Sequence, residues 1–440
     1  MASRDFKYKF FLAIIMLSVN QMLLIFIISD PGSCDDLDNF RAELEIQNRA
    51  ETEAKHREVR EADPINHLGP IDISALDDIA FEDSPIVLEN ADTKEQQSQK
   101  KENQAMREED ISDVQKDWNL HMKEENLGEL PIIPRDWEGF NMTEVENFRK
   151  MVLNKTRVAT HLYTSQKNVP VHSKLTFFQS NLTVKIMRGT YQYFPRNVQF
   201  PRKPHQRCSV VGNGGILTGS GCGNEIDSAD HVFRLNLPPI HGRFTEDVGE
   251  KTNFVTLNPS VLQHEYGLLL EEEKVRAFVQ TVAMYPTNAV IYTHPFDHKK
   301  YRKPVYRAHK AMLGGSEQEM RWSHPEFLRA ADRFWKKAFH LKEPRITSGL
   351  LVATIALSMC EETHLYGFWP YRTAQDGRVL AYHYFERPIS NSGFQDGEEV
   401  FRSGVANNKH HRMGDEFSVL WYLHKKGVLR LHVEDCEERY

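Results

Sequence analysis

The chain has 440 residues, of which 40% are hydrophobic, enough to bury a full-sized core in one domain or two. Its net charge of −7 conceals an asymmetry: residues 30–130 hold 28 acidic side chains against 11 basic ones, while the first 29 residues and the stretch after 130 are both net positive. A pI near 6.3 therefore describes neither part, and a uniformly charged chain is excluded.

The first predicted element is FFLAIIMLSVNQMLLIFIIS, residues 10–29, without a charge. At ~1.5 Å rise per residue, 20 helical residues span a hydrocarbon layer of ~30 Å. Arg4, Lys7 and Lys9 precede it and acidic residues follow, so residues 1–9 are expected in the cytoplasm and the rest of the chain across the membrane. A cleaved signal peptide fits less well: its apolar region is shorter, ~7–15 residues, and ends in an A-x-A-like site. Asn20 and Gln21 inside the span favour helix–helix association, a hint of a homodimer.

Residues 30–135 read as an acidic, largely disordered stem. A transient charged helix is expected from residue 45, and the stretch TKEQQSQKKENQAMREED lacks any apolar period. Residues 136–440 are expected to form one folded lumenal domain. Three sequons, at Asn141, Asn154 and Asn181, suit glycosylation in that compartment, whereas proline spoils the one at Asn258. In an oxidising lumen cysteines pair. Cys208, Cys222, Cys360 and Cys436 allow three connectivities, with Cys34, beside the membrane, left free or bridging two chains. No C-x-x-C and no finger-spaced histidine supports a zinc knuckle.

Strands are expected at 209–211, 231–236, 253–258, 288–294, 363–369 and 428–433. SGLLVATIALSMC (348–360), apolar nearly all round, reads as a buried helix, and EFSVLWYLHKKG (416–427) as an amphipathic one closed by Gly427. Alternating strands and helices imply an α/β fold around a largely parallel sheet. The glycine-rich CSVVGNGGILTGSGCG (208–223) follows the first of these strands, where open α/β sheets bind ligands. It lacks the third glycine of G-x-G-x-x-G and the GK[ST] of a P-loop. From residue 131 onward there is no D-x-D for a metal-bound diphosphate; Asp36-Leu37-Asp38 lies in the stem.

Four ordered blocks carry a resemblance. CSVVGNGGILTGSGCGNEIDSADHVFRLNLPP resembles the large sialylmotif of eukaryotic sialyltransferases, and RITSGLLVATIALSMCEETHLYGFWP (345–370) the small one. HYFE (383–386) is similar to the third motif and HRMGDE (411–416) to the very small motif, H-x4-E. GILTGSGCG, CEETHLYGFWP and the closing WYLHKKGVLRLHVEDC resemble the α-2,8 branch. Thr347-Ser348-Gly349 replaces the commoner Ser-Thr-Gly, Phe385 a usual Tyr, and Gly414 a frequent Pro.

The resemblance implies a Rossmann-like variant GT-A fold with a single catalytic domain. It also implies a single-pass type II Golgi membrane enzyme with disulfides Cys208–Cys360 and Cys222–Cys436. The implied reaction moves sialic acid from CMP-sialic acid to a sialylated glycolipid or glycoprotein, gangliosides included, with inversion. His411 matches the catalytic base, suited by a free pKa of ~6.5. His383, beside Tyr384, is the candidate donor to the leaving phosphate. Asn213, Asn236, Thr347, Ser348, Gly349 and Trp369 are the implied donor-site residues, and Glu416 reads as a structural partner or helix-terminus charge. No metal, no cofactor and no nucleic acid are expected. The competing readings are another linkage, α-2,3 or α-2,6, or a silent lumenal glycan-binding protein on the same fold.

Overall fold

In the computed structural model the described residues are 108–124, 133, 137–386 and 412–436. Contacts divide the chain into Met1–Gly69 and Pro70–Tyr440, and every described residue belongs to the second unit. The expected membrane span, Cys34 and His411 lie outside the described residues. Among the latter no helix is long and apolar enough to cross a membrane.

A small hairpin, β1 (Lys174–Thr176) with β2 (Thr183–Lys185), stands apart from one seven-stranded sheet. That sheet comprises β3 (His205–Val211), β4 (His231–Arg234), β5 (Phe254–Leu257), β6 (Val290–Thr293), β7 (Glu319–Trp322), β8 (Cys360–Tyr366) and β9 (Arg430–His432). Its order is β7-β6-β5-β4-β3-β8-β9, and every neighbouring pair is parallel. Parallel strands are covered on both faces, which explains why β5 is buried at all four positions. Among the described residues, the helices of twelve or more residues are α1 (Glu108–Glu124), α2 (Met142–Thr156), α3 (Glu272–Ala283), α4 (Arg302–Gly315), α5 (Pro325–Phe339), α6 (Ser348–Met359) and α7 (Met413–Lys425). Helix α6 packs on β3 and β8, α2 on α6, and α1 on α5.

The six expected strands form, the first lengthened to His205–Val211 and the others shortened or shifted, and helix 348–360 forms as α6. Two differences have physical causes. First, α1 lies within the stretch read as stem. Its Ile111 and Trp118 are buried in the main core, and Ile133 donates its amide to Gln375 at 3.1 Å, so the folded domain begins upstream of residue 136. Second, α7 is not amphipathic, since every residue from Glu416 to His424 is buried. Trp118 lies edge-on to Tyr422, Trp137 stacks on His424, and Phe417 meets Trp369, so aromatic groups cover it from several sides. The basic stretch 297–310 runs into α4, which turns two of its rings inward. Tyr306 and His309 are buried against Trp322, and burial pulls His309 down to about 4. Residues 319–345 contain an edge strand, β7, and the strongly amphipathic α5, opened by Pro325 behind His324, whose ring accepts the Glu326 amide.

Both implied disulfides are present. Cys208–Cys360 joins neighbouring strands β3 and β8, and Cys222–Cys436 ties the glycine-rich loop to the chain after β9.

Candidate active site

From β3 the chain runs outward through β4 to β7 and then returns to place β8 on the other side of β3, so the strand order reverses there. Such a switch point leaves a crevice at the carboxyl ends of the strands. A cleft of about 280 Å³ lies there. Gly212, Asn213 and Gly214 enter it after β3, Asn236 after β4, Asn258 after β5, and Gly367 to Trp369 after β8. The N-terminus of α6 supplies Thr347, Ser348 and Gly349, while Tyr382, His383 and the first turns of α7 complete the lining.

Three glycines of the loop after β3 answer to crowding by neighbouring backbone. Gly212, Gly214 and Gly215 do not adopt positive φ. A Cβ on Gly214 would lie 2.6 Å from the Gly367 carbonyl oxygen, and one on Gly215 would lie 2.1 Å from that of Ala381. They are small so that two neighbouring backbones can close on the loop, with the Gly214 amide bonded to the Gly367 carbonyl at 3.1 Å.

Asn213 donates its side-chain amide to the Leu235 carbonyl at 2.9 Å, and its Oδ1 is buried with no partner among the described residues. Asn236 sits in the left-handed region at φ 66°, as does Leu237 at φ 49°. Asparagine tolerates that conformation and leucine does not, so local strain of about 1–3 kcal/mol is concentrated here. Two bonds hold it: Thr256 accepts the Asn236 amide through Oγ1 at 2.9 Å and the Leu237 amide through its carbonyl at 3.2 Å.

Asn258 was not anticipated. Its amide donates to Ser348 Oγ at 2.8 Å, and its Oδ1 is buried without a partner among the described residues. A signal for it exists: HVFRLN and NFVTLN both end in Leu-Asn, and adjacent parallel strands bring both asparagines to one edge.

Thr347 caps α6, accepting the Leu350 amide at 3.1 Å. Its own amide and hydroxyl go to Glu416, so they are spent within the protein. The amides of Ser348 and Gly349 lack intrahelical acceptors at the positive end of a twelve-residue helix, which suits an anion. Glu416 is thus the structural partner the sequence suggested. Burial pushes its carboxyl up to about 8 against the pull of the Thr347 bonds, and Glu343 and Asp332 raise it further.

His383 faces Gly214 across a one-residue bridge, and its Nδ1 bonds Glu386. Burial pushes Glu386 up, but His383 outweighs it and holds the carboxyl below its usual range. Tyr384 turns away, its hydroxyl donating to the Pro239 carbonyl at 2.6 Å, so it does not accompany His383 in the cleft. Trp369 lines the cleft and is also core, 4% exposed, with Nε1 bonded to the Thr373 carbonyl. Asn213, Asn236, Thr347, Ser348, Gly349, Trp369 and His383 therefore surround one space. Among the described residues, Glu225, His432 and Cys436 are the one group within metal-ligand reach of each other. Cys436 is committed to its disulfide, and Glu225 is bonded by Arg207 and Tyr366, so a structural reading suffices. Asn141, Asn154 and Asn181 are all exposed.

An α-N-acetylneuraminide α-2,8-sialyltransferase of Xenopus tropicalis is 37% identical over 304 residues, 68% of this chain and 81% of that protein. The human protein named α-2,8-sialyltransferase 8E is 33% identical over 299 residues, 67% of this chain and 74% of its own. A crystal structure of a mammalian sialyltransferase matches 73% of this chain and 85% of its own at 17% identity, with a TM-score of 0.36. Residues 145–428 match the model of glycosyltransferase family 29 (sialyltransferase), and the chain belongs to that family.

Proposed function

We propose that this sialyltransferase moves sialic acid from CMP-sialic acid to the terminal sialic acid of a glycolipid or glycoprotein. The linkage formed is α-2,8, and the reaction is an inverting single displacement. The carrying observation is the single cleft that gathers three strand-end asparagines, an α-helix N-terminus and His383. The asparagines and Trp369 hold the nucleotide, the Ser348 and Gly349 amides receive an anionic group of the donor, and His383 faces the departing phosphate. The α-2,8 linkage rests on relatives named for it at 33–37% identity.

His411 is the base that takes the acceptor proton. Met413, two residues on, lines the cleft, which supports that role. One phosphate on the donor needs no divalent ion when helix amides and a histidine neutralise it, so the reaction proceeds without metal. The protein is a type II Golgi enzyme, with residues 1–9 cytoplasmic, 10–29 spanning the membrane and the catalytic domain lumenal. It is glycosylated at Asn141, Asn154 and Asn181 and self-associates through its span.

The test is CMP release by the purified full-length protein with CMP-sialic acid and a panel of acceptors. Acceptors ending in sialic acid should be used, with α-2,8 bonds in the product. Transfer to galactose-ended acceptors alone would replace the linkage assignment, and release from none would leave a glycan-binding protein.

A further inference from the structure

Glu416 enters the cleft from the first turn of α7 and is 5% exposed. Both of its carboxyl oxygens meet one residue. Oε1 accepts the Thr347 amide at 2.7 Å, and Oε2 bonds Thr347 Oγ1. That same Oγ1 accepts the Leu350 amide and so caps α6.

A hydroxyl has one proton and two lone pairs. An ionised Glu416 offers only lone pairs, so the Thr347 proton must point at it. A protonated Glu416 donates its own proton to Thr347 Oγ1, whose second lone pair already holds the Leu350 amide. The Thr347 proton is then released toward the cleft that Thr347 lines.

The charges around Glu416 set the sign. Asp332 of α5 and Glu343, on the chain between α5 and α6, disfavour its ionised form. Asp332 is itself held by Lys336 at 2.8 Å, and Asp415 of α7, which acts on Glu343, pairs with Arg412 at 2.9 Å. His383, on the cleft lining, pairs with Glu386. An anion bound at the α6 terminus adds one more negative charge beside this group and favours its protonated form.

We propose that Glu416 is a positioning residue: protonated, it turns Thr347 from a donor to Glu416 into a donor to the ligand, and in alkaline solution, where the free protein has lost that proton, entry of the nucleotide phosphate restores it. This rests on the reading of the cleft as the CMP site. Linkage is reciprocal, so a ligand that favours the proton binds more weakly as the proton is withdrawn.

The test is calorimetric titration of full-length protein with CMP between pH 7 and pH 9, in buffers of contrasting ionisation heat. Histidine (~6.5) and the second phosphate ionisation (~6) lie below that window. The wild type should take up most of a proton at the upper end, and CMP affinity should fall about tenfold across the window. Glu416→Gln, which mimics the protonated acid, should show neither effect. Thr347→Ser should keep the pH dependence and Thr347→Val should lose it, a comparison that stands even if Glu416→Gln fails to fold. A wild type with flat affinity and no uptake overturns the proposal, as does a folded Glu416→Gln that keeps the wild-type slope. CMP that binds at no pH overturns the assignment of the cleft itself, and this proposal with it.

Discussion

At Glu416 the needs of the site work against the stability of the fold. Its folded-state carboxyl, at about 8, stands above the ordinary 4.5. The folded protein therefore holds this proton more tightly than the unfolded chain does. Stability from that source is complete below about pH 4.5 and is lost as pH rises through 8. Glu416→Gln should remove this loss, so its unfolding free energy should gain on the wild type from pH 5 to pH 8.5, by an amount reaching a few kcal/mol and visible as a rising difference in melting temperature. A constant difference across that range would show that Glu416 does not titrate differently on folding. His411 tests the chemistry instead. His411→Ala should lower kcat by about 10²-fold or more while CMP binding persists, because a general base acts on the acceptor proton and not on the nucleotide. Single-turnover rates and CMP titration separate the two, and near-normal turnover would remove His411 from the mechanism.

Among the elements, α1 and the glycine loop are the ones whose worth was hardest to foresee. Trp118, 4% exposed, meets His121, Phe339 and Tyr422 and joins α1 to the main core. Trp118→Ala should cost about 3–5 kcal/mol, the usual range for emptying a large aromatic site. A denaturation midpoint unchanged by this substitution would mean that α1 is not part of the cooperative unit. In the loop, Gly215 has the Ala381 backbone where a Cβ would stand, and a backbone cannot step aside as a flexible side chain does. Gly215→Ala should therefore open the loop, lowering CMP affinity and thermal stability together. An alanine that bound CMP normally would show that the 381–383 segment tolerates displacement.

For the molecule as a whole, two covalent links close loops with sequence separations of 152 and 214 residues. Closing loops of this length removes chain entropy worth about 4–5 kcal/mol each, before any native-state strain. Cys222→Ser should cost more function than its stability loss alone explains, because the Cys436 amide also bonds the Ser220 carbonyl at 2.8 Å beside the loop. Activity measured well below the variant's melting point checks this. A chelator should leave turnover unchanged, and a loss restored by Mn²⁺ or Mg²⁺ would reinstate a metal. The product should be one or a few sialic acids. A long polyanion needs a dense cationic track, yet the stretch 319–345 spends Arg329 on Glu326 and the Thr176 carbonyl, and Lys336 on Asp332 and the Pro344 carbonyl. Chains of tens of residues grown from a short sialylated primer would overturn that expectation.

Local chemistry carried much of this protein in its sequence. Alternating apolar strands and a helix apolar on every side imply a parallel sheet with covered faces, and α6 answers that pattern nearly residue for residue. Asn213, Asn236 and Thr347 are legible because each sits at the end of a strand or the start of a helix, where type and position are tied. Other features depend on partners distant in sequence. The stem boundary failed because α1 is acidic by composition and becomes core only through α5 and α7, more than two hundred residues away. The amphipathic reading of α7 failed because burial on its polar side comes from Trp118 and Trp137. Asn258 joined the cleft only when β4 and β5 were laid side by side. The perturbed carboxyl of Glu416 likewise needs the closed fold, since desolvation belongs to the surroundings of a residue and not to its place in the chain.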